Sequence, residues 1–283
     1  MDDATLDMSA DLRDELAAND VKPIVDPRSV PVRFSTLKQL GRSPAHYFHA
    51  VQDEREETLA MRLGAGVHAM LFGQPLVKWD QPAKKGSGKA PRNGSAWEAF
   101  LQANAGATIL NAAEWSQAEA VVASIRSNRP AMDLLDGAEL EQRIDWSFLG
   151  RSCRSTPDAR TPRYLVDLKT TKTAEPDRFA RQSMWLGYHA QLAFYLDAVR
   201  ESGLGTPTEA YVIAVESAPP HPVTVLRLTE RAIEQGRRLC RLWFERLLTC
   251  EAANQWPGYA QSVVDLDVPD DDVALVFAEP EAA

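Results

Sequence analysis

The stretch from Cys153 to Thr171 constrains this chain most. Cys153-Arg-Ser-Thr-Pro-Asp158 is followed, across Pro162, by Tyr164-Leu-Val-Asp-Leu-Lys169-Thr-Thr. Proline has no N–H to give to a ladder, so Pro162 suits a turn between two strands. Strand side chains repeat with period two, which puts Asp167 and Lys169 on one face and Tyr164, Val166 and Leu168 on the other. Asp158 then falls on the neighbouring strand. Carboxylates are hard oxygen ligands suited to Mg²⁺ or Mn²⁺. A lysine beside them can orient or activate a water and stabilise charge developing on a phosphate. The pattern reads as a divalent-metal hydrolysis site.

Pro157-Asp158 followed by Asp167-Leu168-Lys169 resembles the PD-(D/E)xK nuclease signature. Its surroundings resemble the exodeoxyribonuclease VIII (RecE-type) branch, near the lambda-exonuclease-type enzymes of phage recombination. The likeness runs from Ser35 to Trp256. It includes Ser35-x-Leu with Ser43-Pro44, a glycine–histidine element at Gly64, Gly66 and His68, Glu141 five residues before Trp146, and Gly187-Tyr188-His-Ala-Gln191 with Tyr195.

The resemblance implies a restriction-endonuclease-like α/β core with a mixed central sheet flanked by helices. Asp158 and Asp167 would bind Mg²⁺ (or Mn²⁺), together with the Leu168 carbonyl, and His68 would bind or orient a second ion. Lys169 would activate the water, Glu141 would hold a water at the metal, and Gln191 would sit at the site. Linear double-stranded DNA would be digested from a 5′ end, leaving 3′ single strands for a single-strand annealing recombinase. A ring-shaped homo-oligomer follows by the same analogy. One departure is that only Arg154 remains of the basic residues that often precede the Pro-Asp pair.

The formal charge of −9 seems at first to oppose DNA binding, but it is unevenly spread. Residues 1–30 hold 3 basic and 8 acidic side chains, and 252–283 hold 0 and 7. The remaining 28 basic and 25 acidic residues leave 31–251 at +3. Basic clusters, not total charge, set phosphate binding. The three cysteines have no metal-type spacing and are too few for a four-cysteine iron–sulfur cluster, so none is expected. They read as reduced and structural. No apolar run is long enough to span a bilayer, and an acidic start does not fit a signal peptide. A cytoplasmic protein of a bacterial or phage-infected cell is expected, without membrane contact.

An acidic leader (1–30), a nuclease domain (31–256) and an acidic tail (257–283) are expected. Ser35 reads as the N-cap of a short helix, or as a contact to a DNA end beside Arg33. Pro44 opens a second helix. Gly64 and Gly66 allow close backbone approach before a buried helix, where an isolated histidine would read as a core residue. Residues 81–95 carry Lys84, Lys85, Lys89 and Arg92, and read either as a solvated linker or as a phosphate-gripping flap. Residues 97–126 read as helix, with Trp97, Phe100, Leu101, Trp115, Val121, Val122 and Ile125 as core candidates. Leu140–Leu149 reads as a strand with Glu141 on its polar face, either exposed or at the metal.

Glu175-Pro176 opens a helix through Val199, ended at Gly203. Tyr188 and Tyr195 read as core, and Gln191 as a site residue. Two strands (210–216, 223–228) precede a helix capped by Thr229, whose arginines form a solvated face or a DNA track. An endonuclease of repair or phage defence, and a non-catalytic DNA-binding module on the same fold, remain the alternatives. The intact Asp158/Asp167/Lys169 set speaks against the module.

Overall fold

The structure, a computed structural model, describes residues 24–52, 57–80, 91–260 and 262–266. In chain order the main elements are β1 (Val32–Arg33), α1 (Phe34–Leu37), α2 (Pro44–Gln52), α3 (Leu59–Phe72), β2 (Leu76–Trp79), α4 (Ser95–Ala103), β3 (Thr108–Asn111), α5 (Ala112–Ser127) and α6 (Arg129–Leu135). There follow β4 (Glu139–Leu140), β5 (Ile144–Phe148), β6 (Arg151–Ser155), β7 (Ala159–Arg160), β8 (Tyr164–Thr171), α7 (Pro176–Leu186), α8 (Tyr188–Glu201), β9 (Glu209–Glu216), β10 (Val223–Arg227) and α9 (Glu230–Ala253).

The central sheet has five strands in the order β10-β9-β8-β7-β4. β8 and β9 run parallel over their full length, joined by a crossover through α7 and α8, and the other pairs are antiparallel. Ala-Tyr-Val-Ile-Ala-Val in β9 is nearly continuous apolar sequence, as a strand covered on both faces requires. Leu165, Ala210, Val212 and Ala214 pack on one side with α8, α9 and the aromatic rings Phe194 and Phe244. Val166, Leu168, Ile213 and Val215 pack on the other with Leu63, Val67, Val121, Val122 and Ile125 of α3 and α5. Helices thus cover both faces of a mixed sheet, the α/β architecture expected.

Residues 151–160 run from one sheet into another. β6 pairs with β5 and with β1 in a three-stranded sheet, and after Thr156-Pro157-Asp158 the chain joins the central sheet as β7. Pro157 supplies no ladder donor, which suits the break. β7 stays paired with β8 only at Leu165 and Val166, so β8 continues toward Thr171 with β9 on one side alone.

Several elements differ from expectation. The helix at Phe34 is preceded by Arg33 at the cap, with no side-chain bond, and Ser35 lies inside it. The span 97–126 is not one helix. Gly106 turns the chain at φ 84°, β3 pairs with β2, and Asn111 and Glu114 form a capping box that starts α5. Strand β2 carries no period-two signal in the sequence. Of the proposed core residues, Val121, Val122 and Ile125 are buried, whereas Leu101 is exposed. The helix from Pro176 breaks at Gly187, in the left-handed region at φ 77°, before α8 begins. The strand expected over 140–149 is interrupted at Glu141, whose φ of 47° takes it out of extended geometry. Pro44 and Thr229 behave as expected, and Thr229 accepts from the Ala232 N–H. The acidic leader lies mostly outside the described residues. No described helix is long and apolar enough to cross a membrane. Cys153, Cys240 and Cys250 are buried free thiols, and burial pushes Cys153 up to about 12.

Helix α9 crosses α8 closely enough that a Cβ on Gly236 would meet the His189 carbonyl carbon at 2.8 Å and Ala190 Cα at 2.9 Å. Gly66 sits tightly too, but its Cβ would meet only the Leu110 side chain, at 2.6 Å. Gly→Ala in a helix ordinarily gains about 0.8–1.0 kcal/mol. Against backbone the sign reverses. Gly236→Ala is expected to cost about 1–3 kcal/mol, and Gly66→Ala less, because Leu110 can change rotamer. Thermal midpoints read by calorimetry check the order, at roughly 2–4 °C for each kcal/mol.

Candidate active site

The site forms where β8 parts from β7. Beyond Val166 the N–H of Leu168 has no strand to bond, and it donates to Asp158 Oδ2 at 2.6 Å. The Asp158 carbonyl in turn accepts from the Glu141 N–H at 2.9 Å, fixing the turn that follows β4. α3 supplies His68 from across the opening. Its Nδ1 is 3.3 Å from Glu141 Oε1 and 3.7 Å from Asp158 Oδ1, and its Nε2 is 3.2 Å from the Leu168 carbonyl. The Gly64 and Gly66 turns let α3 come this near, against Thr170 and Leu110 respectively.

Asp167 and Lys169 lie on the same face of β8, as the alternation predicts. Lys169 Nζ is 2.6 Å from Asp167 Oδ2 and 4.9 Å from the centre of the Tyr188 ring. Gln191, from the first turns of α8, donates to Asp167 Oδ1 at 3.1 Å and contacts the Tyr195 hydroxyl at the same distance. The Gly187 break aims this part of α8: an unbroken helix would carry Tyr188 and Gln191 onward along the axis of α7.

His68, Glu141 and Asp158 offer three donor atoms within 4.8 Å of one another, a group able to hold a metal ion. Glu141 is therefore in the cluster itself, while Asp167, expected as a ligand, faces Lys169 and Gln191. Two carboxylates and an imidazole fit Mg²⁺ or Mn²⁺. The electrostatics agree. Burial, with the neighbouring Asp167 charge, outweighs the His68 and Lys169 cations and pushes Asp158 up to about 6. Burial alone would lower His68, but Asp158 and Glu141 outweigh it and bring it up to about 9, so both ring nitrogens then donate. Burial would likewise lower Lys169, but Asp167 and Asp158 drive it upward and it stays an ammonium. Burial and the Asp167 charge push Tyr195 up to about 12, keeping its hydroxyl neutral.

Two cavities border these residues. A cleft of ≈ 710 Å³ is lined by His68, Glu141, Leu168, Lys169 and Thr170, with Gly64 and Ala65 on the facing wall. A second, of ≈ 390 Å³, is lined by Arg33, Ser35, Lys38, Arg143, Arg154 and Thr156, with Gln191 and Tyr195. The parallel pairing of Arg33 with Arg154 brings Ser35 and Arg154 into it together. Arg154 also pairs with Asp145 at 2.9 Å. Sequence reasoning missed Lys38 and Arg143, whose convergence is long-range. Tyr195 was readable from its i,i+4 spacing to Gln191.

Of the proposed phosphate-gripping residues, Lys84, Lys85 and Lys89 lie outside the described residues. Arg92 turns inward. It pairs with Glu114 at 2.5 Å, donates to the Ile109 carbonyl and lies 5.6 Å from the centre of the Trp97 ring. Glu114 also holds Arg62, and Trp79 Nε1 donates to the Pro91 carbonyl at 3.1 Å. Arg92 is therefore held by Glu114 and the Ile109 carbonyl at the end of the basic segment.

His68 has a folded pKa above its ordinary 6.5. Its pairing thus stabilises the metal-free protein fully below pH 6.5, and that contribution is lost as pH rises through about 9. A cation bound by the neutral imidazole replaces the departed proton. The rise in thermal midpoint produced by Mn²⁺ is expected to grow between pH 6.5 and 9, by up to about 1.4 kcal/mol per pH unit for one displaced proton. Asp158→Ala is expected to abolish it at every pH. A Mn²⁺ effect independent of pH would remove His68 from the ligand set.

No curated protein matches the chain. Among solved structures, a protein from Eubacterium rectale named as a candidate exonuclease is similar over 84% of this chain and 91% of that one, with TM-score 0.60 and 16% identity. An alkaline exonuclease from Laribacter hongkongensis aligns over 69% of this chain and 94% of that one, with TM-score 0.31 and 14% identity. The first likeness is one of fold. The sequence matches the family described as a PDDEXK-like domain of unknown function (DUF3799) over residues 33–265, and the chain belongs to that family.

Proposed function

We propose that the protein is a divalent-metal-dependent deoxyribonuclease that degrades linear double-stranded DNA from its ends, 5′ to 3′, leaving 3′ single strands for recombination. The observation that carries this reading is the split of β8 from β7, which sets three metal-type donors and a buried ammonium around one cleft. The fold likeness to a candidate exonuclease agrees with it. A cytoplasmic site of action, a ring-shaped homo-oligomer and an annealing recombinase partner belong to the same reading.

Asp158, Glu141 and His68 would hold the ion, with the Leu168 carbonyl adjacent. Bound there, a divalent cation supplies Lewis acidity toward the scissile phosphate and favours ionisation of the attacking water. The chain's own residues do the rest. Asp167 and Gln191 hold Lys169 in place, Asp167 through its charge and Gln191 through Asp167. An ammonium so held is a donor, and it cannot accept the water's proton. Lys169 therefore orients the water and stabilises charge on the phosphate oxygens. The neutral Tyr195 hydroxyl keeps its proton and can donate into the basic cavity.

That cavity favours ends over internal bonds. Arg33, Arg143 and Arg154 with the Ser35 hydroxyl form an enclosure suited to a terminal phosphate, one Gln191 away from Asp167. In a digestion time course with Mg²⁺, linear duplex is expected to be lost progressively from 5′-phosphorylated ends while closed circles survive. Lys169→Ala should lower the rate by roughly 10²–10³-fold. Arg33→Ala with Arg154→Ala should erase the preference for a 5′-phosphate over a 5′-hydroxyl while leaving Lys169 chemistry intact. Cutting of circles would make the enzyme an endonuclease, and no metal-dependent cleavage of any DNA would leave a binding module.

A further inference from the structure

Helix α7 carries a feature that the hydrolytic site does not use. Phe179 is buried beneath it, 6.0 Å from the Tyr188 ring, and Gln182 accepts from the Thr171 hydroxyl at 3.2 Å. These contacts tie the helix to the end of β8, two residues beyond Lys169. Flanking that anchored side, Arg178, Arg181 and Trp185 are exposed and fall at i, i+3 and i+7, within a narrow stripe. Trp185 is 85% exposed, at the last turn before the Gly187 break. A singly exposed hydrophobic side chain is ordinary, but this indole stands in line with two arginines, a pairing of π-face and cations suited to a nucleic-acid strand. Acidic groups near the stripe are Glu175 and Asp177. Glu175 is occupied as the N-cap, accepting from the Asp177 and Arg178 N–H groups. The stripe therefore offers one open π-face and two arginines, their charge offset in part by Glu175 and Asp177, on a helix tied to the end of β8.

We propose that this face of α7 binds a single DNA strand next to the active site, with Arg178 and Arg181 on phosphates and an unpaired base stacked on Trp185. The inference rests on the nuclease reading and names how the strand is held. From Arg178 to Trp185 is about 10 Å at a helical rise of about 1.5 Å per residue, so the stripe spans a few nucleotides of a strand laid along it. Arginines track a backbone by charge, and an exposed tryptophan accepts any base by its π-face. Duplex ends keep their bases paired and stacked, so a surface indole at this position takes a base only from a strand already unpaired. The Gly187 elbow orients the arrangement: α8 turns back from it with Tyr188 under Lys169, while the Trp185 ring stays outside.

Equilibrium binding of labelled oligo-dT and of a blunt hairpin duplex, read by fluorescence anisotropy with Ca²⁺ in place of Mg²⁺, tests the proposal. Trp185→Ala is expected to weaken oligo-dT binding by roughly 5- to 100-fold and duplex binding little. Trp185→Phe should restore most of it. Arg178→Ala with Arg181→Ala should lower the slope of log affinity against log salt by about 1.4, at about 0.7 for each phosphate contact. Arg129→Ala, which removes an exposed arginine of α6, is the control and should bind like wild type. Oligo-dT binding by Trp185→Ala at wild-type strength would overturn the proposal, all the more if light scattering showed that variant to have lost a subunit contact. If wild type cleaves DNA in that case, only this inference falls. If wild type binds no DNA, the nuclease reading falls with it.

Discussion

A single hydrogen bond sets the geometry of the site, that from the Leu168 N–H to the Asp158 carboxylate. In an uninterrupted sheet that N–H would belong to the next strand. The Thr156-Pro157-Asp158 segment draws the neighbour away, and the side chain of Asp158 replaces its backbone. A buried backbone donor without a partner is costly, so the carboxylate and the strand hold each other in position. The gap left by the departed strand is the cleft. Structure and chemistry share one atom pair, since the oxygen that satisfies the sheet belongs to a residue of the candidate metal cluster.

Around that gap the protein gathers opposite charges that would be unfavourable singly. The Asp158 and Asp167 carboxylates repel, His68 and Lys169 offset the charge on Asp158, and Lys169 pairs with Asp167. The protons on His68 and Asp158 stand in for a cation, which explains why one group ionises less readily than usual and the other holds its proton more firmly. Such paired perturbations are a mark of sites built to exchange charge with a ligand. Glu141 contributes from a left-handed turn that a non-glycine residue adopts at some cost. The bond from its N–H to the Asp158 carbonyl compensates in part.

Much of this was legible in the sequence because it is periodic and local. The alternation from Tyr164 to Lys169 placed Asp167 and Lys169 on one face, whereas Asp158, read onto the neighbouring strand, lies in the bend between β6 and β7. The helix of Gly64, Gly66 and His68, the cap at Thr229 and the mixed α/β order were also readable. What escaped depended on breaks within periodic runs. Gly187 interrupts an amphipathic pattern that continues on both sides, so the elbow between α7 and α8 reads as one helix. Glu141 sits in an alternating run, yet leaves it through a backbone angle that side-chain patterning does not encode. Four-residue β2 and β3 gain their strand character from pairing with each other, which is tertiary information. Arg92 was misread for a related reason. A basic residue in a polar segment looks solvated until its buried partner, Glu114, is placed 22 positions later.

The neck formed by Trp79, Pro91, Arg92 and Glu114 has a consequence for how this scaffold can vary. Because the chain is pinned just before and just after residues 81–90, the separation of those two points is set by the fold. Doubling the length between two fixed posts adds only about 0.6 kcal/mol of closure entropy. Insertions, deletions or a grafted module at that position thus meet posts already tied to α3 through Arg62. The same scaffold can carry different appendages at this edge while the spacing of its reactive groups stays constant, a modularity that resides in two side-chain contacts.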